Sequence, residues 1–395
     1  MSGFILSTTL PSFAIALLIG FVIRKLAPRF GLIDQPGHRK VHITPIPLGG
    51  GLAIWAGVVL PLGIGLILLR IGSLDEIAAM LPRADDVRHL LQVHAAGLSQ
   101  QSGNLVFLLG CGTLLLLLGL VDDRRGLDWR LRVVVQSAVA AAVVFGKGWN
   151  LTVFVDLPLL TNLISLFWIV GLVNSFNMLD NMDGLSAGVA AIAAAIFAAV
   201  LLVAPDPENN GPQFFVAGFL LVLVGSLVGF LWHNRPPARL FMGDAGSYLV
   251  GFLIAVTTML ATFTGGSLPK HAILAPLCVL AVPLYDTISV VWIRLRAGRS
   301  PFEGDKNHFS HRLVELGLTK TQAVLTIYLT TAACGLSALV LHEVNTAGAV
   351  TIVLSIACLL AVIAILESTA SKKTGNPERV MRNLGSARSR KDGKR

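Results

Sequence analysis

Eleven apolar runs follow one another along the chain, at about 4–26, 48–69, 105–121, 131–148, 159–178, 184–204, 214–233, 245–264, 272–293, 322–341 and 346–367. Roughly 20 apolar residues let an α-helix cross the hydrocarbon core of a bilayer. Each run is therefore read as one transmembrane helix, with short polar connections between them. The first run, MSGFILSTTLPSFAIALLIG, has no basic leading segment and no small-residue cleavage site. It is expected to remain as a span rather than be removed as a signal peptide. The pattern predicts an all-α polytopic membrane protein, one transmembrane domain over 1–368. An insertion at 70–104 and a polar loop at 294–321 interrupt it. A basic tail at 369–395, poor in apolar residues, is expected to be disordered.

Composition agrees. Of 395 residues, 54% are hydrophobic and 13% charged, with a mean hydropathy of +0.74. Soluble domains carry about a quarter charged residues, so this chain could not cover its own surface with polar groups. A disordered chain, a nucleic-acid-binding domain and a soluble two-domain enzyme are excluded. The net charge of +9 gains meaning from where it falls. With the N-terminus outside, the cytoplasmic segments hold 26 of the 31 Lys and Arg residues, all but Arg70, Arg83, Arg88, Lys147 and Lys270. Positive charge stays preferentially on the cytoplasmic side, so the layout reads N-out and C-in. Cys111, Cys278, Cys334 and Cys358 each lie inside an apolar run without metal-ligand spacing and read as small lipid- or core-facing residues. The 70–104 insertion, with its scattered acids, His89 and His94, reads as a solvated amphipathic hairpin.

Placing the acids on this topology is informative. Asp122 and Asp123 end the third span, Asp180 and Asp183 end the fifth, Asp244 opens the eighth, and Asp286 sits near the inner end of the ninth. All fall on or near one face. Ionisable groups beside a bilayer core are costly and need partners. Asp128, and one of the Asp122–Asp123 pair, can be balanced by neighbouring Arg. Asp180 and Asp183 cannot, because NMLDNMDGLSAG contains no cation. Several carboxylates without a local counter-charge suit a hard divalent ion, Mg²⁺ with Mn²⁺ as a substitute.

Basic segments complement them. In DQPGHRKVHITPIPLGGG, Arg39, Lys40 and His42 lie among Pro and Gly residues that forbid a continuous helix. Gly49-Gly50-Gly51 then opens the second span, where free N–H groups would favour an anion. In RAGRSPFEGDKNHFSHRLVELG, His308 and His311 are flanked by Arg299, Lys306 and Arg312, a polar-substrate loop. Acids that hold a divalent cation, facing bases and backbone donors, are what phosphoryl transfer requires. At the inner membrane surface such a site could join a soluble nucleotide substrate to a lipid.

At these residues the sequence resembles the polyprenyl-phosphate N-acetylhexosamine-1-phosphate transferase superfamily, whose branches include MraY and WecA. The likeness is carried by RKVHITPIPLGGG, LGLVDD, NSFNMLDNMDGLSAG, FMGDAGS and the DKNHFSH loop, in the family's order over about residues 30–320. It implies transfer of a sugar-1-phosphate, GlcNAc first among candidates, from a UDP-N-acetylhexosamine to undecaprenyl phosphate. UMP is released, and the lipid-diphosphate-sugar initiates cell-envelope glycan synthesis. It also implies a cytoplasm-facing cleft in the bacterial inner membrane and a possible homodimer. By motif, Asp244 is the expected Mg²⁺ ligand. Asp122 and Asp123 match the paired aspartates that either help place the metal or deprotonate the lipid phosphate. Asn177, Asp180 and Asp183 match the Asn-x-x-Asp-x-x-Asp site near nucleotide and metal. Asn234 and Phe241 fall at positions expected beside the nucleotide, Phe241 offering a face for uracil. Lys40 is expected to neutralise a phosphate, and His308 and His311 to meet the sugar and diphosphate.

Two departures narrow this. MraY carries three adjacent His in the last loop, whereas this chain reads His308-Phe309-Ser310-His311, which favours the WecA branch over a large peptide-bearing substrate. The family's usual Gly after the first Asp of the Asp-x-x-Asp pair is Asn181 here, at a tight backbone position. Two readings from other classes compete. An ion-coupled transporter would place its carboxylates near the midplane of two similar halves, and neither feature is present. A non-catalytic scaffold has no need to gather uncompensated carboxylates.

Overall fold

The computed structural model describes residues 1–35, 44–71, 85–151, 157–204, 211–261, 269–302, 305 and 307–373. The helices are α1 (Ser2–Leu26), α2 (Gly50–Ile71), α3 (Asp85–Arg125), α4 (Trp129–Ala141, continued by a π-turn to Gly146), α5 (Pro158–Leu179), α6 (Leu185–Val203) and α7 (Phe214–Asn234). They continue with α8 (Gly243–Leu260), α9 (Ala275–Val279), α10 (Ala281–Arg296), α11 (Phe309–Glu315), α12 (Lys320–Leu336) and α13 (Thr346–Lys373). Among the described residues ten helices are long and apolar enough to cross a membrane. An eleventh crossing is made if the pair Lys270–Val279 and Ala281–Arg296, bent by 66°, counts as one span. The expected all-α polytopic architecture is thus observed, with the ninth span broken. Pro283 is the physical reason: it has no N–H to give the carbonyl four residues back, at Val279.

The described part of the 70–104 insertion, expected as an amphipathic hairpin, is helical. From Asp85 the chain is already helical and runs without interruption into the third span, while 72–84 lies outside the described residues. So do 152–156 and 374–395 of the tail. Cys111, Cys278 and Cys334 are buried and Cys358 is exposed, all unbonded.

Helix α8 is the axis of the bundle. It is buried along nearly its whole length, between α3 and α5 with α2 alongside. Such close approach demands small residues. A Cβ on Gly119 of α3 would collide with the backbone of Ala245, and one on Gly51 of α2 with the backbone of Gly246. Outside this centre, α1 packs along α7 and α2, and α6 lies between α7 and α12. The helix ends near α8's N-terminus are tied by main chain. Gly50 and Gly51 N–H groups donate to Phe241 O (2.8 Å) and Met242 O (3.0 Å), and Phe241 N–H to Pro47 O (2.9 Å). The Gly50 and Gly51 donors are therefore spent on the FMGD loop and are not open to the anion expected at the start of α2. A two-residue antiparallel pair, β1 (Ile33–Asp34) with β2 (Ile46–Pro47), closes the same end.

Candidate active site

At this end of the bundle a cavity of about 1210 Å³ opens among the helix termini. Drug-sized pockets run to about 1,000 Å³, so the space can hold a nucleotide-sugar together with a lipid headgroup. Its walls carry Asp122, Asp123 and Arg132 from α3 and α4, and Asn177, Asp180 and Asp183 from the end of α5. Asn234, Phe241 and Asp244 come from the α7–α8 connection, and Arg299, Asp305, His311 and Lys320 from the segment leading into α12. Residues far apart in sequence meet because the spans deliver their acid-bearing ends to one face.

Each carboxylate is held differently. Asp122 is buried and compensated: Arg132 Nη1 lies 3.1 Å from Oδ2, Tyr248 Oη donates to the same oxygen at 2.7 Å, and the Leu127 N–H donates to Oδ1 at 2.7 Å. Asp123 caps α8 from a neighbouring helix, accepting the Asp244 N–H at 2.8 Å and the Ala245 N–H at 3.2 Å. A carboxylate there suits the positive end of the helix dipole. Gly243, at φ +70°, makes this possible, since a side chain on it would run into the Asp123 carboxylate. Asp244 Oδ1 accepts from Asn177 Nδ2 at 2.6 Å, and the same nitrogen donates to Ser247 Oγ at 3.0 Å. Asp183 Oδ2 accepts the Ala238 N–H at 2.9 Å. Asp128, outside the cavity, caps α4 through the Arg130 N–H. Asp122 is thus the member of the pair balanced by a neighbouring Arg.

Asp180 stands at the cavity wall just beyond α5. Burial pushes its carboxyl well above the ordinary range, and the charges of Asp244, Asp123 and Asp183 push it further, against a lowering hydrogen bond from the Gly243 N–H. Among the described residues none of Asp123, Asp180, Asp183 and Asp244 is ion-paired with Lys, Arg or His. Oxygen-only donors with this excess of negative charge fit a hard divalent cation in chemistry. They do not form a closed cage: among the described residues no three His, Cys, Asp or Glu side chains converge on one ion position.

The structure brings Asp122, Asp123, Asn177, Asp180, Asp183, Asn234, Phe241, Asp244, Arg299 and His311 together in the cavity. Asn234 also has a framework role, its amide accepting the Gly184 N–H and donating to Leu240 O, both at 2.9 Å. His308 and Arg312 do not line the cavity. His308 is buried, with Nδ1 3.0 Å from Asp286 Oδ2, and the Phe309 N–H donates to Asp286 Oδ1 at 2.6 Å. Asp286 is accordingly a loop anchor rather than a member of the acid cluster. Arg312 points into the protein, donating to Asn307 O and Ser289 Oγ at 2.9 and 2.8 Å. Arg39, Lys40, His42 and Lys306 lie outside the described residues, although Asp34 and Thr44 on either side of the first three line the cavity.

Sequence reading missed Arg132, Tyr248 and Lys320. Lys320 is placed by the capping box of α12, in which Thr319 and Gln322 cap each other's backbone N–H; the T-x-x-Q pattern was the available signal. Tyr248 had none, because a Tyr one turn into an apolar span reads as packing. Asn181 finds a specific use, Nδ2 donating to Met178 O at 2.9 Å and Oδ1 accepting from Ser310 Oγ at 2.5 Å. Near the mouth, Asp305 accepts from Arg294 Nη2 (3.0 Å) and twice from Asn307. Burial there would raise its carboxyl, but these donors outweigh it and hold it below the usual range.

Residues 105–262 match glycosyl transferase family 4. Over 337 residues the chain is 30% identical to a probable undecaprenyl-phosphate N-acetylglucosaminyl 1-phosphate transferase of Bacillus subtilis, covering 83% of this chain and 82% of the relative. It is 33% identical to the decaprenyl-phosphate N-acetylglucosaminephosphotransferase of Mycolicibacterium smegmatis, over 78% of this chain and 74% of that one. With the undecaprenyl-phosphate alpha-N-acetylglucosaminyl 1-phosphate transferase of Escherichia coli it shares 29% identity, over 81% and 79% of the two chains.

Proposed function

This chain belongs to glycosyl transferase family 4, among the WecA-like polyprenyl-phosphate N-acetylglucosamine-1-phosphate transferases, and we propose that it transfers GlcNAc-1-phosphate from UDP-GlcNAc to undecaprenyl phosphate at the cytoplasmic face of a bacterial inner membrane. An oxygen of the lipid phosphate attacks the sugar-linked phosphorus of the donor. The bond from that phosphorus to the bridging oxygen breaks, and UMP leaves with the electron pair. The products are UMP and a lipid-diphosphate-sugar. The observation that carries this reading is the gathering of Asp122, Asp123, Asp180, Asp183 and Asp244 with Arg132, Arg299, His311 and Lys320 around one cavity. The relatives' names, all GlcNAc-1-phosphate transferases, favour neither a peptide-bearing sugar nor transport.

The side chains divide the work by charge. Arg299, Lys320 and His311 face the phosphates and offset the negative charge of donor and acceptor, and Phe241 gives the base a flat apolar wall. Asp123 is the less compensated of the adjacent pair, whereas Asp122 is neutralised by Arg132 and Tyr248. Asp244, oriented by Asn177, and the neighbouring Asp180 would hold Mg²⁺ with Asp123 close by. The ion would supply charge neutralisation on the phosphate oxygens and the leaving UMP.

The test is UMP release by the purified protein in detergent with undecaprenyl phosphate, Mg²⁺ and a panel of UDP-sugars. Release is expected with UDP-GlcNAc, only when both lipid and metal are present, and lost in Asp244→Asn. No release with any sugar from folded protein would overturn the reading.

A further inference from the structure

Helix α13 is the most outward-facing span. Val350, Leu354, Val362, Ile365 and Leu366 are each more than half exposed, and its packing within the bundle falls mainly on the short helix α11. At its cavity end this lipid-facing helix nevertheless buries a carboxylate, Glu367, which is 7% exposed. An ionisable group in such a place needs partners and marks a task. Glu367 Oε2 lies 3.0 Å from Arg312 Nε and accepts from Tyr285 Oη at 2.8 Å. Arg312 belongs to α11, which also carries His311, the residue of that helix that lines the cavity. Arg312 spends its other nitrogens on Asn307 O and Ser289 Oγ. With Glu367 as its ion-pair partner among the described residues, the guanidinium ties α11 to α10 and α13 at once.

We propose that Glu367 is a positioning residue for the transfer, acting through Arg312 to fix α11 and so the place at which His311 meets the substrate. The inference rests on the transferase reading of the cavity. Asp286 on His308 and Asn181 on Ser310 hold the first turn of α11, and the Arg312–Ser289 hydrogen bond ties it to α10. The Glu367–Arg312 pair is its ion-pair tie to α13. Without it α11 keeps these holds but loses its tie to α13, which shifts His311 without unfolding the bundle. Removing one partner of a buried ion pair leaves the other charge uncompensated, so even Glu367→Gln, which keeps shape and the Tyr285 contact, releases the clamp.

The experiment is a double-mutant cycle on the full-length protein, read by UMP release with UDP-GlcNAc as the varied substrate. Glu367→Gln is expected to lower kcat/KM for the donor about tenfold while leaving KM for the lipid unchanged. In a His311→Ala background the same substitution is expected to cost less than about twofold, because coupled residues are not additive. Glu367→Asp should recover part of the loss, and Tyr285→Phe, a milder change, should move kcat/KM in the same direction. Equal losses in both backgrounds, or no loss, would overturn the proposal. Hydrogen–deuterium exchange of residues 307–316 gives a readout independent of activity. Faster exchange in Glu367→Gln supports the tether, and unchanged exchange overturns it. Wild-type protein that releases no UMP would fail the transferase reading, while the exchange result still decides the tether.

Discussion

Asp244 stands where three helices end, its carboxylate aimed by the Asn177 amide and its backbone N–H fixed by Asp123. An Asn at this position could still accept the Asn177 hydrogen bond, so Asp244→Asn removes charge with little change of shape. Burial first, and then repulsion from the neighbouring carboxylates, pushes the Asp180 carboxyl up, and a bound divalent cation would relieve that repulsion. Any ligand that binds only the folded state raises stability, by about 2.7 kcal/mol at a hundredfold excess over Kd. After chelation and gel filtration, adding Mg²⁺ is expected to raise the thermal midpoint of the wild type by several degrees. Asp244→Asn is expected to show no more than a third of that shift. Equal shifts in the two proteins would remove Asp244 from the metal site.

The helices meet at α8 with almost no side chain between them. On α3, the helix that brings Asp123 to the start of α8, Gly119 touches Ala245 through backbone alone, whereas Gly110 has nothing within 4 Å of where a Cβ would lie. Gly119→Val should force α3 from α8, cost about 1–3 kcal/mol as overpacking does, and reduce UMP release by pulling Asp123 off its cap. Gly110→Val on the same helix should leave both the thermal midpoint and the rate near wild type, and similar losses in the two variants would refute this account. The spans themselves were legible because bilayer thickness imposes a length on every apolar run. The acid cluster was legible because those runs fix which ends lie together. The bend at Leu280 was not legible from Pro283 alone, since Pro11 and Pro61 lie inside α1 and α2 without breaking them. Nor could sequence separate His311 from His308 and Arg312. Density of donors marks a polar loop, but burial decides which of them face a ligand, and it depends on Asp286 and Glu367 arriving from other helices.

The molecule has two ends that differ in charge, and this difference bears on how it lies in the membrane. Around the cavity end, guanidinium groups sit over aromatic rings on four helices or their edges: Arg24 over Phe21 (5.9 Å), Arg130 over Trp129 (5.5 Å), Arg235 over Trp232 (4.1 Å) and Arg296 over Trp292 (4.6 Å). At the opposite end Lys147 lies over Phe107 at 5.1 Å. Aromatic rings favour the headgroup region, and a basic residue near an anionic leaflet contributes about 1 kcal/mol. In the proposed N-out, C-in layout the cavity end would meet the cytoplasmic leaflet, where a soluble UDP-sugar could reach it. In a cysteine-free background, Ser300→Cys beside the cavity and Glu343→Cys between α12 and α13 report the two sides. A membrane-impermeant maleimide is expected to label the first only in inside-out vesicles and the second only in right-side-out ones. The reverse pattern would put the carboxylates outside the cell, away from any nucleotide donor, and would overturn the N-out, C-in layout together with the proposed site of transfer.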